Sequence, residues 1–224
     1  MKVSERLVAS QKEVFDSYVN HPFVQGIGKG DLAKEKFQYY LLQDYVYLID
    51  YARVFSIGAA KAKRKETMEV FAAYVHQILS GEMDIHRNYM KRLGITKEEM
   101  DNVKASLDNT SYTSYMIRVA YEEGEAELAC AILSCAISYE HIAKKLLAEN
   151  QGADQHEFYG EWIKGYTSEQ YHKENLQLMD LLDELTKDYS GKQIEHLEEI
   201  FAIATAYEGA FWDMAWRYEH GVEI

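Results

Sequence analysis

At 224 residues with a formal net charge of −13, the chain is long enough for one sizeable core and short for two, so residues 1–224 are expected to form a single domain. That charge repels a phosphate backbone and supplies no counterion-release term, which argues against nucleic acid as a partner. One proline, 47% hydrophobic residues and long stretches without breakers predict an all-α protein. No run approaches 18 apolar residues, and Met1-Lys2-Val3-Ser4-Glu5-Arg6 leads into a charged amphipathic pattern. No membrane partner is expected, and the expected location is cytoplasmic.

Apolar residues at three-and-four spacing from Leu7 to Tyr18 predict a first helix that ends at Asn20-His21-Pro22, and Pro22 suits the opening of a short second one. Gly26-Ile27-Gly28-Lys29-Gly30 has neither the preceding strand nor the glycine spacing of a phosphate loop, and reads as a breaker. From Asp31 as N-cap a long helix runs through Phe37, Asp44 and Tyr51 towards Ala60. A third runs from Glu66 to Leu93 and stops at Gly94, and Thr96 with Glu99 forms a capping box for a fourth. Helices are then expected at Thr110 to Glu122, Glu125 to Glu149 and His156 to Lys164. A second capping box, Thr167 with Gln170, opens the next, to about Tyr189, and Lys192 to His220 is the last. The sum is a bundle of about eight helices, with sites expected between facing helices.

Three constellations suggest chemistry. Asp44, Tyr47, Leu48 and Tyr51 share one helical stripe. An acid amid apolar neighbours needs a donor, supplied either by a ligand or by a neighbouring Tyr or Arg. Glu208 shares its stripe with Ala204, Phe211, Trp212 and Ala215, a setting that should raise its pKa by desolvation and let it serve as an acid. Read as structure alone, it is a buried Glu with an Arg or Tyr partner. Cys135 has Tyr139 one turn later, on a helix rich in Ala and Ser. By itself such a cysteine is more often a small buried hydrophobe than a nucleophile. Cys130, five residues earlier, is about 8 Å away along the helix and cannot pair with it, so both thiols should stay reduced. No cation or histidine flanks Cys135 closely. At an ordinary pKa of about 8.5, ionising the thiol at pH 7 costs about 2 kcal/mol, so it should attack only a target already activated by protonation.

Metal sites of helical bundles need two Glu-x-x-His elements and two further carboxylates. Only Glu169-Gln170-Tyr171-His172 has that spacing, and Glu82 with His86 makes an ordinary i,i+4 pair; no metal and no cofactor are expected.

Several segments together carry a family resemblance: Asn20 to Val24, Phe37 to Tyr51, Ser111 to Met116, Leu133 to Tyr139, Trp162 to Tyr166 and Tyr207 to Trp212. In order and spacing, over nearly the whole chain, they resemble the TenA/thiaminase II family, in its cysteine-bearing branch. The resemblance implies a heme-oxygenase-like all-α fold and a homotetramer. It also implies an aminopyrimidine aminohydrolase of thiamin salvage, acting on 4-amino-5-aminomethyl-2-methylpyrimidine and, more slowly, on thiamin. By position, it makes Cys135 the nucleophile and Glu208 the acid at ring nitrogen N1. Asp44 corresponds to the residue holding the 4-amino group and N3, Tyr112 and Tyr139 to hydrogen-bonding residues near the thiol, and Tyr47, Tyr166 and Phe211 to aromatic walls. Position 47 often carries phenylalanine in that family, so the Tyr47 hydroxyl bears on the preference between the two substrates. The competing readings are a heme- or di-iron-binding oxidoreductase of the same fold, suggested by His21, Glu82, His86 and Glu169/His172, and a non-catalytic pyrimidine-binding regulator.

Overall fold

Breaker-poor, amphipathic segments favour helices, and the computed structural model, which describes residues 1–218, contains twelve α-helices and no β-strand among them. In chain order these are α1 (Val3–Ser10), α2 (Lys12–Val19), α3 (Pro22–Lys29), α4 (Lys34–Lys61), α5 (Lys65–Gln77) and α6 (Met83–Arg92). They continue with α7 (Lys97–Asn102), α8 (Leu107–Glu122), α9 (Glu125–Glu149), α10 (Gly160–Tyr166), α11 (Glu169–Leu185) and α12 (Gly191–Arg217). The expected end of the last helix at His220 lies outside the described residues. The chain groups into two compact units, one formed by Met1–Ala33 with Ala129–Trp216 and the other by Lys34–Leu128 with Arg217 and Tyr218.

In the first unit, the single helix expected over Leu7 to Tyr18 is two. The Ser10 hydroxyl donates to the Leu7 carbonyl at 2.7 Å and competes with the helical ladder, and the chain breaks at Gln11. Pro22 opens α3 as expected, with the His21 ring accepting from the Phe23 amide. Of the glycine run, only Gly30 is a stop, at φ 75°. Gly26 and Gly28 are helical and buried, and a Cβ at Gly26 would lie 2.9 Å from the Cβ of Leu32. Asp31 does not cap α4. Its amide, like that of Leu32, returns to the Gly26 carbonyl and closes α3. The helix expected from His156 starts later, because the His156 ring accepts from the Phe158 amide at 3.1 Å and holds a turn that delays α10 to Gly160. Thr167 ends α10, and the cap of α11 is Ser168, which accepts from the Tyr171 amide.

In the second unit, α4 packs against α5, α6 and α8. The helix expected from Glu66 to Leu93 is interrupted by a π turn at Ile78–Glu82 containing Gly81, and resumes as α6. The extra residue in such a turn rotates everything after it. Gly94, at φ 86°, ends α6, and the Thr96/Glu99 capping box forms as expected. Helix α8 begins three residues before the expected Thr110, because Ser106 caps it on the Asn109 amide.

Although no unbroken apolar run reaches 18 residues, α9 is long and apolar enough over an 18-residue window, at hydropathy 1.2, to cross a membrane; 83% of that window is buried, as in a core helix.

Candidate active site

Ala and Ser along α9 let a neighbour approach closely, and three contacts join it to α12. The Cys130 thiol donates to the Leu197 carbonyl at 3.2 Å, the hydroxyls of Ser134 and Thr205 are 2.8 Å apart, and the rings of Tyr139 and Trp212 lie 5.1 Å apart. The partners rise together in sequence, so the two helices run in the same direction along this seam. Cys135 stands one turn before Tyr139, and Glu208 one turn before Trp212. Each pair shares a face of its helix. Along their helices, Cys135 and Glu208 both fall between the Ser134–Thr205 and Tyr139–Trp212 contacts. Cys135 is half-buried, whereas Glu208 is only 2% exposed. Cys130 is fully buried, a structural thiol, and neither cysteine is in a disulfide.

Aromatic rings extend this seam. Tyr139 lies 4.8 Å from Tyr166 and 5.9 Å from Trp162, Trp162 and Tyr166 meet edge-on at 4.8 Å, and Phe23 lies 5.8 Å from Trp212. Phe211, next to Trp212, is buried. The structure thus joins Tyr139 to Tyr166 and adds Trp162 and Trp212, whose presence in the same short aromatic motifs was the available signal. Tyr18 was not foreseen either. Its hydroxyl donates to the Thr205 carbonyl, and its ring lies against Gly209, where a Cβ would come within 3.1 Å. Burial, then the neighbouring charge of Glu208, pushes the Tyr18 phenol above its ordinary range and keeps it protonated. No local pattern links Tyr18 to Glu208, because the contact is made across the fold.

The remaining candidates lie in the second unit. Asp44 is buried, and its carboxylate meets His86 Nε2 at 2.6 Å. The other ring nitrogen of His86 lies 3.1 Å from the Glu82 carbonyl in the π turn. The protein donor to Asp44 is thus a histidine, where a ligand or a neighbouring Tyr or Arg was expected. Burial pushes the His86 imidazole down, but the hydrogen bond and charge of Asp44, with the charge of Glu82, outweigh it and raise the pKa to about 9. Gln43 anchors the segment between α7 and α8. Its amide donates to the Lys104 carbonyl at 2.9 Å and accepts from the Ser106 amide at 2.9 Å. Tyr47 is sandwiched between Tyr51 at 5.3 Å and Tyr112 at 5.4 Å, with its hydroxyl 3.9 Å from the Met116 sulfur.

The residues behind the oxidoreductase reading are dispersed. His21 meets Asp213 at 3.2 Å, His172 meets Glu140 at 2.6 Å, and Glu169 pairs with Lys173 at 2.8 Å. Among the described residues no three His, Cys, Asp or Glu side chains converge as a metal site.

The model of the TENA/THI-4/PQQC family matches residues 9–218. The chain is 42% identical to an aminopyrimidine aminohydrolase of Helicobacter pylori, over 97% of this chain and 100% of that one. It is 43% identical to another of that description from Halalkalibacterium halodurans, over 97% and 96%. A crystal structure described as a TenA family transcription regulator, from Silicibacter sp. TM1040, superposes with TM-score 0.89 at 27% identity, over 97% of each chain. A heme oxygenase-like domain from Shewanella denitrificans, at 12% identity and TM-score 0.75, shares the fold. An all-α fold of the heme-oxygenase-like class defines the protein. Within it, the chain belongs to the TENA/THI-4/PQQC family.

Proposed function

We infer that this protein is an aminopyrimidine aminohydrolase of thiamin salvage, converting 4-amino-5-aminomethyl-2-methylpyrimidine to the hydroxymethyl pyrimidine and, more slowly, splitting thiamin. The observation that carries this reading is near-full-length identity above 40% to two proteins of that description, in a chain that carries a half-buried thiol on α9 and a buried carboxyl group on α12.

In the proposed mechanism Glu208 gives a proton to ring nitrogen N1 as Cys135 adds to C6, which breaks the aromaticity. The electron pair expels the amine from the C5 methylene carbon, with the thiol proton passing to it so that it leaves as ammonia, and an exocyclic methylene remains. Water adds to that carbon and gives up a proton to the Cys135 sulfur as the Cys135–C6 bond breaks, and the N1 proton returns to Glu208. A ring protonated by its neighbour makes an ordinary thiol sufficient. Asp44 holds the 4-amino group and N3, Tyr112 and Tyr139 supply hydrogen bonds near the thiol, and Tyr47, Tyr166 and Phe211 form the aromatic walls. The assembly we propose is a homotetramer acting in the cytoplasm. The net charge of −13 disfavours DNA, and with it a regulatory role exercised at a phosphate backbone.

The test is incubation of purified protein with the aminomethyl pyrimidine and with thiamin, following products by chromatography. Turnover of the first faster than the second supports the reading, and tight binding of both without product overturns it. Sedimentation velocity checks the tetramer.

A further inference from the structure

The turn of α9 that carries Cys135 has side-chain donors on two consecutive carbonyls, beyond the helical ladder. Ser138 donates its hydroxyl to the Cys135 carbonyl at 3.1 Å. The next carbonyl, that of Ala136, accepts from the Tyr171 hydroxyl at 3.2 Å and from the Asn175 amide at 3.1 Å, both on α11. Asn175 is buried, and its amide nitrogen also reaches Glu140 Oε2 at 2.6 Å. The other oxygen of Glu140 meets His172 at 2.6 Å and also accepts from Lys144. The Tyr171 ring stands edge-on to Tyr166 at 5.1 Å. Extra donors to helical carbonyls tilt those peptide groups and fix the helix locally against its neighbour.

We propose that Tyr171 and Asn175 are positioning residues that clamp the Cys135 turn of α9 from behind and set where the thiol stands along the seam it shares with Glu208. Neither touches the substrate; each acts through the Ala136 carbonyl. Packing alone would leave α9 free to slide by a fraction of an ångström, and two hydrogen bonds from α11 to one carbonyl fix that degree of freedom. The same tyrosine braces the Tyr166 ring, so nucleophile and aromatic wall move together.

This inference rests on the nucleophile assignment made above, and its test separates the two. Tyr171→Phe removes one hydroxyl and keeps the ring, and Asn175→Ala removes the second donor. The full-length variants are assayed for kcat and KM on the aminomethyl pyrimidine, and for the alkylation rate of Cys135 by iodoacetamide, localised by fragment mass spectrometry. The folded fraction is followed by circular dichroism. A misplaced nucleophile should lower kcat about tenfold in Tyr171→Phe and more in the double variant, with KM within about twofold, at an undiminished folded fraction. A kcat within twofold of wild type, or a fall that only tracks lost folding, overturns the clamp. If the wild-type chain turns over neither substrate, the functional reading fails, and alkylation decides the clamp: a rate changed about threefold or more supports it, and an unchanged one overturns it.

Discussion

Asp44 and His86, on α4 and α6, form a buried carboxylate–imidazole pair at 2.6 Å. The π turn before α6 supplies the Glu82 carbonyl that orients the other face of the ring. Because the imidazole pKa is raised to about 9, His86 is charged at neutral pH. Removing one of the pair would strand the other in a medium that solvates it poorly.

His86 therefore governs alkaline stability. A folded pKa of about 9 lies above the ordinary 6.5, so the stabilisation is complete below about pH 6.5 and is lost as pH rises through 9. Urea unfolding between pH 6 and 10 should show a loss on the order of 3 kcal/mol in the wild type, largely missing from His86→Gln. His86→Ala should cost about 3–5 kcal/mol at pH 7. Parallel pH profiles for wild type and His86→Gln would show that the pair does not carry the effect.

Cys135→Ala should bind the aminomethyl pyrimidine and release no product. Glu208→Gln keeps the shape of the carboxyl group and removes the proton it delivers, so kcat should fall by about 10²–10⁴ with binding retained. Equal turnover by Cys135→Ala would sink the nucleophile assignment. Calorimetry with each variant separates lost binding from lost chemistry.

Tyr47→Phe removes a hydroxyl that donates to the weak acceptor sulfur of Met116 at 3.9 Å and keeps the ring's contacts with Tyr51 and Tyr112. What should change is the ratio of kcat/KM for the aminomethyl pyrimidine against thiamin. An unchanged ratio would remove the hydroxyl from the specificity argument.

Gly30→Ala tests the backbone of the first unit. The position has φ 75°, and an added Cβ would sit 2.5 Å from the His156 ring. Left-handed strain of about 1–2 kcal/mol and displacement of His156 should both lower the midpoint of thermal unfolding. The kcat of the folded enzyme should stay as it was.

What the sequence determined by itself was whatever depends on neighbours within a turn or two. Helical periodicity, the Pro22 start, the Gly94 stop and the Thr96/Glu99 box are local, and all formed. The stripes that singled out Asp44, Cys135 and Glu208 are local too, since helical geometry alone puts residues three and four apart on one face. Even the misplaced boundaries have local causes, such as Ser10 bonding back to Leu7 and Ser168 capping α11 where Thr167 was expected to. What only the tertiary structure decided is which distant group meets each candidate: His86 for Asp44, Tyr18 beside Glu208, and Tyr171 and Asn175 behind Cys135. A hydrogen bond across 35 or 39 residues leaves no trace in sequence periodicity, because its geometry is fixed by how whole helices pack.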